Sequence, residues 1–450
     1  LRHGGGSAPA LWPRCDARGI FGFGHAGQKC SAASLAILVG SVATSERFER
    51  QLVDAVRTLR VGRPTDPTAA VGPLVERASG KLLGALTALG TGEEWLVEPR
   101  ALDATGELWS PGVKRGVLPG SAFHTTEYFG PVLGIMRARD LDEALELQNA
   151  TPFGLTAGLH SLDSHEVAHW LDHVEAGNLY VNRGITGAIV RRQPFGGWKR
   201  SSVGGSTKAG GPSYVMGFGS FAPVPRAPKQ SLSLRGLDRG VRDVLEASQP
   251  GLDFAGFDAA RAGALSDQRA WEDEFGVARD DSRVEVLPDQ PIERNVLRYR
   301  PAPVTVRAAE GAAPADLVRV LLAATRAGSP VAVSAAAPLP ASLLGLLDSG
   351  ASGLRVTAVV IEPDTEFAGR MAVERPARIR VIAPEGANDP HATGRALLEA
   401  VDGDPDVAVW SGPVTASGRV ELLPFLREQA VSITAHRFGN PYPALAELPL

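Results

Sequence analysis

The chain has 450 residues, enough for two or three domains with a sizeable buried core. Its apolar fraction of 44% and charged fraction of 21% are ordinary for globular proteins, and a formal charge of −4 gives no reason to expect nucleic acid or an anionic membrane as a partner. Two cysteines exclude a disulfide framework, so we expect a reducing, cytoplasmic setting.

Residues 1–20 are rich in Gly, Pro and Arg, show no periodicity, and hold no apolar core of a secretory signal. We interpret them as an irregular head and a candidate for a misassigned start. Further along, the apolar stretch 329–347 is interrupted by Pro338 and Pro340, so we predict a strand, a loop and a helix there and no membrane span.

Residues 21–222 alternate helical and extended patterns. Apolar residues at three-to-four spacing predict amphipathic helices over 47–59 and 164–176, and "GNLYVN" (177–182) predicts a strand. Three prolines then fall within 221–230, which predicts a Pro-rich linker at 223–235.

Residues 236–450 repeat a helix–strand rhythm. The three pairs of helical and β-branched segments are 314–328 with 329–335, 341–350 with 354–361, and 394–403 with 405–412. This alternation predicts an α/β fold with a parallel sheet covered by helices on both faces.

Small residues surround Cys30 in the sequence, with Ala26 and Gly27 before it and Ser31, Ala32 and Ala33 after it. Small neighbours leave room for a tetrahedral adduct on a nucleophilic sulfur, and the backbone N–H of the cysteine could help hold the oxyanion. An ordinary structural cysteine in a small-residue turn is the alternative, because free cysteines are commonly buried and inert. From the residues alone both interpretations stay open.

Six segments that accompany Cys30 resemble one family. In chain order they are "FGHAGQKCSAAS" (23–34), "VGPLV" (71–75), "TEYFGPVLGI" (126–135), "NATPFGLTAGL" (149–159), "GNLYVNR" (177–183) and "QPFGGWKRSSVGG" (193–205). Together they resemble the cysteine-bearing half of the aldehyde dehydrogenase superfamily. Residues 182–214 resemble its L-glutamate-γ-semialdehyde (pyrroline-5-carboxylate) dehydrogenases, and residues 293–301 and 421–441 resemble the extra C-terminal domain of long proline utilization A proteins.

The resemblance implies the catalytic half of an aldehyde dehydrogenase fold at 21–222, followed by a Rossmann-like α/β domain at 236–450. It also implies NAD as cofactor, glutamate semialdehyde as substrate, a homo-oligomeric parent protein and no metal. The segments that supply the nucleotide-binding sheet, the general base and the oxyanion-hole asparagine in this family have no counterpart here. We therefore expect a fragment that is inactive by itself.

For catalysis and cofactor binding, the resemblance assigns three residues. Cys30 falls on the nucleophile, Glu127 on the carboxylate that binds the nicotinamide ribose, and Phe129 on the ring beside the nicotinamide. A carboxylate suits a diol because it accepts two hydrogen bonds. For Glu127 and Phe129, the ordinary alternative is a solvated glutamate and a core phenylalanine.

For substrate binding, the resemblance assigns Ser31, Gly187 and Ala188 to the α-carboxylate and Phe195 to the aliphatic stem. A loop of small residues can aim backbone N–H groups at an anion, and a hydroxyl adds a donor. The ordinary alternatives are a helix-start hydroxyl for Ser31, a tight turn for residues 186–188 and a core position for Phe195.

Two other kinds of function remain as alternatives. One is a non-catalytic remnant or assembly module, whose C-terminal domain mainly buries surface against a partner. The other is a cofactor-free cysteine acyltransferase or hydrolase built on Cys30. The "EYFGP" segment (127–131) argues against the hydrolase, because a hydrolase needs no ribose ligand.

Overall fold

The computed structural model describes residues 22–190, 192–205, 207–224, 233–278, 284–287, 290–349, 353–437 and 440–450. The predicted irregular head and most of the predicted linker lie outside these ranges. The chain forms two compact units. The first comprises residues 1–193, 280–296 and 430–450, and the second comprises residues 194–279 and 297–429. The domain boundaries drawn from the sequence stay predictions.

The elements follow one another with short connections. The helices are α1 (Glu46–Arg57), α2 (Gly80–Thr87), α3 (Ala122–Thr125), α4 (Leu141–Asn149), α5 (Ser164–His173), α6 (Arg239–Ser248), α7 (Phe254–Ala270), α8 (Pro314–Ala327), α9 (Ala341–Ser349), α10 (Asp364–Glu374), α11 (Ala392–Ala400), α12 (Gly418–Glu421) and α13 (Pro443–Ala446). The strands are β1 (Leu35–Val39), β2 (Glu94–Val97), β3 (Gly112–Arg115), β4 (Val132–Ala138), β5 (Phe153–Gly154), β6 (Thr156–Leu159), β7 (Asn178–Val181), β8 (Trp198–Lys199), β9 (Val284–Leu287), β10 (Gln290–Pro301), β11 (Val304–Ala308), β12 (Pro330–Ala335), β13 (Arg355–Ile361), β14 (Arg378–Ile382), β15 (Ala408–Trp410), β16 (Leu426–Thr434), β17 (His436–Arg437) and β18 (Asn440–Pro441).

The helices and the strand predicted in the first unit are confirmed. Helix α1 begins after Ser45 and α5 after Asp163, and each of these side chains accepts hydrogen bonds from backbone N–H groups of the first turn. Strand β7 occupies the predicted "GNLYVN" segment and is buried throughout. The N-caps and the apolar spacing therefore determine these elements locally.

Two sheets form the framework of the first unit. One has the order β1-β4-β3-β2, in which β1, β4 and β3 are parallel and β2 is antiparallel. The other has the order β6-β7-β16-β10-β9, with Asn178 of β7 opposite Ala430 of β16. Strand β4 packs into a core that includes Val113, Leu133 and Met136.

The second unit contains a five-stranded parallel sheet of order β13-β12-β11-β14-β15. Numbered along the chain, this is the order 3-2-1-4-5 of a Rossmann-like sheet, so the predicted α/β class is confirmed. The three predicted helix–strand pairs are also confirmed, as α8–β12, α9–β13 and α11–β15.

Helices cover both faces of this parallel sheet. Val306 of β11 belongs to the large cluster that α6–α9 supply, whereas Val381 of β14 belongs to a second cluster with Phe367 of α10 and Leu397 of α11. Val306 lies opposite Arg380 in register, one residue before Val381, so the two valines point to opposite faces. Among the described residues, no helix is long and apolar enough to cross a membrane.

Candidate active site

Cys30 follows a tight, unusual turn. The backbone of His25, Ala26 and Gly27 is left-handed, with φ of 54°, 56° and 70°. Such angles strain the two non-glycine residues, and strain of this kind concentrates at functional sites. The Cys30 thiol is free and exposed, and Ser31 beside it is buried, with 4% of its surface exposed. Ser31 leads into strand β1 rather than into a helix, so the helix-start alternative does not apply.

The Cys30 loop packs directly against the loop that carries Glu127 and Phe129. Strands β1 and β4 are parallel, with Leu35 opposite Gly134, so the loops before them meet at one edge of the sheet. A Cβ placed on Gly27 would lie 2.1 Å from the carbonyl oxygen of Gly130, which leaves room only for glycine. The structure therefore brings these two sequence motifs into contact.

A third motif meets the same loop. The backbone N–H of Val75 donates a hydrogen bond of 2.8 Å to Oε1 of Gln28, two residues before Cys30. Val71 and Leu74, from the same "VGPLV" motif, are buried in the core of the first unit. The buried residues of this motif fix the position of Val75. The hydrogen bond from Val75 to Gln28 then orients the backbone before the cysteine.

The Glu127–Phe129 loop turns one side chain inward and two outward. Tyr128 stacks on Phe123, with ring centroids 5.0 Å apart. Glu127 is exposed, and Phe129 is 39% exposed with a left-handed φ of 56°. Phe129 is therefore no core residue, and an exposed aromatic ring held in a strained backbone suits contact with a ligand better than packing.

Helix α3 and its surroundings hold this loop in place. The ring of buried His124 accepts a hydrogen bond from the backbone N–H of Gly120 at 2.9 Å and lies 2.8 Å from the carbonyl oxygen of Leu147 through its other nitrogen. Burial, with a further contribution from the charge of Glu93, raises the pKa of Tyr128. Tyr128 is thus neutral at physiological pH and serves as the inner anchor of the loop.

Tyr180 lies on strand β7, and its pKa depends in part on Cys30. Burial raises the pKa of Tyr180, Arg183 and Asn178 oppose that rise, and the charge of Cys30 adds to it. Cys30 and the Tyr180 hydroxyl therefore lie within electrostatic range of each other. Because residues 182–190 follow β7 directly, the predicted carboxylate-binding loop starts from the strand that carries Tyr180.

Gly187 and Ala188 lie in an exposed loop. Gly187 has a φ of 84°, and a Cβ there would meet no atom within 4 Å. Ile185 packs tightly over Gly158 of β6, where a Cβ would lie 2.6 Å from the isoleucine Cγ2. The loop is thus fixed at its base and leaves its small residues open to solvent.

A buried amide network that sequence reasoning missed supports this loop. Gln193, 4% exposed, accepts a 2.7 Å hydrogen bond from the backbone N–H of Ile189 and donates one of 2.5 Å to Oδ1 of Asn295. Ser432 also donates to Asn295, at 2.9 Å. The partners lie more than 100 residues apart, so no local pattern in the sequence could have revealed the network.

Other predicted residues have separate places. Phe195 belongs to the second unit, where its backbone pairs with Ala209 through two hydrogen bonds of 2.9 Å. Asn149 and Asn182 hydrogen-bond to backbone groups of residues 173, 175 and 161, so both have structural roles. These two asparagines hold the ends of α5 and β7.

Acidic residues occupy the switch point of the Rossmann-like sheet in the second unit. Glu310 follows β11 and Glu385 follows β14, at the adjacent carboxyl ends where such sheets bind nucleotides. Asp316 lies in the first turn of α8, and its pKa is raised to about 6, chiefly by burial. Three carboxyl groups at this edge disfavour the pyrophosphate of a dinucleotide.

The sequence pattern of the aldehyde dehydrogenase family matches residues 17–220 of this chain. This range includes Cys30, Glu127, Phe129 and Gly187.

Two curated relatives are each named 1-pyrroline-5-carboxylate dehydrogenase. The protein of Bacillus subtilis (strain 168) is 38% identical over 204 residues and that of Geobacillus sp. (strain WCH70) 37% identical over 204 residues. Both alignments cover 43% of this chain and 37% of the relative, so the chain spans little more than a third of these proteins.

A solved structure extends the similarity into the second unit. Proline utilization A (PutA) from Corynebacterium freiburgense is 41% identical, with a TM-score of 0.72. The alignment covers 95% of this chain and 38% of that one. The similarity to PutA thus includes the Rossmann-like sheet.

Proposed function

We propose that this chain supplies the cysteine-bearing part of an NAD-dependent L-glutamate γ-semialdehyde dehydrogenase of proline catabolism, and that the remaining part of the enzyme lies outside these 450 residues. The observation that carries the proposal is the packing of the Cys30 loop, through Gly27, on the loop that exposes Glu127 and Phe129. We further propose a cytoplasmic homo-oligomer as the complete enzyme.

Cys30 is the nucleophile in this proposal. Its sulfur adds to the aldehyde carbon and forms a C–S bond, while the carbonyl oxygen takes the negative charge of a thiohemiacetal. The backbone N–H of Cys30 helps hold that oxygen. After oxidation the acyl group remains on sulfur as a thioester, and water releases it as the carboxylate. A thiol suits both steps because it is a strong nucleophile and a good leaving group.

Glu127 and Phe129 fit the nicotinamide end of NAD. Both are exposed at the edge of the sheet that carries Cys30, and the left-handed backbone at Phe129 holds its ring away from the core. The carboxylate would accept hydrogen bonds from ribose hydroxyls, and the ring would lie against the nicotinamide. When bound, NAD supplies the acceptor for the hydride that the aldehyde carbon loses.

The loop after β7 fits the α-carboxylate of the substrate. Gly187 and Ala188 carry no side chain that would block approach to their backbone N–H groups, and Gln193 holds the next N–H of the loop. Ser31 contributes a hydroxyl next to the cysteine. The assignment of Phe195 to the aliphatic stem stays a prediction, because Phe195 belongs to the second unit. A substrate with a carboxylate remote from its aldehyde is thereby distinguished from a simple aldehyde.

The exposed pair Glu127 and Phe129 also argues against a cofactor-free acyltransferase or hydrolase, since neither reaction uses such a pair beside the nucleophile. A remnant without catalytic function is distinguished by experiment. We expect the whole protein that contains this chain to form NADH, followed by absorbance, when given glutamate semialdehyde and NAD. Thioester hydrolysis without NAD dependence, or no turnover by folded protein, would overturn the proposal.

A further inference from the structure

The second unit contains a cavity that the proposed function does not use. Its volume is about 140 Å³, enough for several water molecules. The cavity is therefore large enough for a small ion or a short organic acid. Its lining residues come from the 196–208 segment, from the start of β14, from residues 405–408 and from the start of β16.

The lining carries an excess of positive charge. Four of its side chains are cationic and two are acidic, and these are Lys199, Lys208, Arg378, Arg427, Asp406 and Glu428. Asp406 already pairs with Arg200, at 3.0 Å. The remaining acid, Glu428, faces three other cationic groups within the same cavity.

Arg378 has hydrogen-bond donors that pair with no described residue. Its Nη1 donates to the carbonyl oxygens of Pro424 and Leu426, both at 2.8 Å, and more weakly to that of Leu423 at 3.4 Å. Among the described residues, its Nε and Nη2 have no hydrogen-bond partner.

Three buried arginines of the second unit each pair with a carboxylate. Arg307 pairs with Asp364, Arg319 with Asp267, and Arg380 with Glu421. Arg378 is half-buried and pairs with no carboxylate among the described residues, so the open edge of its guanidinium is available to an anion in the cavity.

Lys208 and Glu428 also line the cavity. Lys208 is 3% exposed and its Nζ donates to the carbonyl oxygen of Gly196, while its backbone N–H donates to Glu428 Oε2 at 2.5 Å. Burial lowers the pKa of Lys208 to about 7 against the opposing charge of Glu428, and burial together with the charge of Arg427 lowers the pKa of Arg378 to about 9. A further negative charge placed between these two cations would raise both pKa values again.

We propose that this cavity binds one small oxyanion, a carboxylate or an inorganic phosphate, between the free edge of Arg378 and the side chains of Arg427 and Lys208. The Nε and Nη2 of Arg378 offer the parallel pair of donors that matches two oxygens of such an anion. Arg427, whose guanidinium lies 5.5 Å from the centroid of Trp198, supplies a second charge. This site lies within the second unit and does not depend on the proposed dehydrogenase activity.

The test is calorimetric titration of the full 450-residue chain with sodium phosphate and, separately, with sodium acetate, against sodium chloride at equal ionic strength. We expect saturable one-to-one binding of at least one oxyanion and none of chloride. The arm that saturates identifies phosphate or carboxylate as the ligand chemistry. If folded protein binds neither oxyanion, the proposal is wrong.

Arg378→Met should weaken the binding at least tenfold, because both oxygens of the anion lose their donors. Arg395→Met is the matched control, since it removes an exposed arginine of the same unit and should leave affinity within twofold. If Arg378→Met fails to fold, for want of its contacts to residues 423–426, Arg427→Met provides the second variant, with an expected loss of at least threefold. Equal losses in the Arg395→Met control and in these variants would show only diffuse electrostatic attraction.

Discussion

Cys30 is the residue on which the proposed chemistry depends. In the whole protein that contains this chain, Cys30→Ser should abolish aldehyde oxidation and leave NAD affinity within a few-fold, because a hydroxyl is far less nucleophilic than a thiol at neutral pH. Steady-state kinetics and calorimetry measure the two effects. If more than about a tenth of the kcat survives, equivalent to a barrier increase below ~1.4 kcal/mol, Cys30 is not the nucleophile.

Ala188 tests the predicted substrate carboxylate. Ala188→Leu should raise the KM for glutamate semialdehyde much more than the KM for an aliphatic aldehyde of similar size, because only the former places a carboxylate in the loop. Binding energy from a remote group appears mainly in KM when ground and transition states use it equally. An equal rise of KM for both substrates would mean that the loop has a structural role and does not bind the carboxylate.

Gln193 acts on the same loop through the backbone of Ile189. We expect Gln193→Leu to raise the KM for glutamate semialdehyde at least threefold while kcat changes less than twofold, because a lost buried hydrogen bond frees the loop. Gln148→Leu is the control, since it removes an amide that accepts from Trp170 elsewhere in the first unit. An equal rise of KM in the control would mean that Gln193→Leu acts only by general destabilisation.

The sequence predicted the individual residues of this site better than the contacts around them. The motif around Cys30 and the motif at 126–135 were both found, and their contact through Gly27 and Gly130 explains why each contains a glycine where it does. The exposure of Phe129 runs against the usual burial of phenylalanine, because Tyr128 takes the inner position of the loop. Local composition carries no information on which of two adjacent aromatic rings turns inward.

At the scale of elements, strand β3 depends on a buried ion pair. Lys114 lies 3.0 Å from Glu93 and also donates to the carbonyl oxygen of Ala88 at 2.8 Å. Lys114→Met should destabilise the first unit by about 3–5 kcal/mol at pH 7, because it leaves the Glu93 carboxylate buried without its cation. Urea unfolding followed by tryptophan fluorescence measures the loss.

The exposed pair Arg139 and Glu143 provides the comparison for Lys114. Arg139→Met should cost less than ~1 kcal/mol, as exposed ion pairs usually do. A loss for Lys114→Met no greater than this would mean that water or another cation compensates Glu93.

The secondary structure of the second unit was accessible from the sequence, but its strand order was not. Alternating helices and β-branched segments predicted a parallel sheet, because strands of such sheets are typically apolar on both faces and each crossover needs a helix. The alternation of helices and strands along the chain is the same for any order of the strands in the sheet. The reversal that places β14 beside β11 arises from tertiary packing of α10 and α11 on the opposite face.

For the whole molecule, we expect the 450-residue chain alone to show no NAD-dependent oxidation of glutamate semialdehyde and at most weak NAD binding. In the proposed site Glu127 and Phe129 would contact only one end of a cofactor that fills a whole crevice. The chain spans 37% of the curated relatives it matches. A missing general base would cost a further factor of about 10²–10⁴. Calorimetry with NAD and an NADH assay on the purified chain measure both effects, and a micromolar Kd or turnover that needs Cys30 would contradict this expectation.

The pairing of β7 with β16 also has a consequence for synthesis on the ribosome. Asn178 emerges roughly 250 residues before its partner Ala430, a delay of roughly ten to fifty seconds at about 5–20 residues per second. During that interval one edge of a fully buried, apolar strand has no hydrogen-bonding neighbour, and such an edge recruits strands from other chains. A nascent chain stalled between residues 200 and 420 should therefore bind a holdase chaperone, and release from it should follow the appearance of β16.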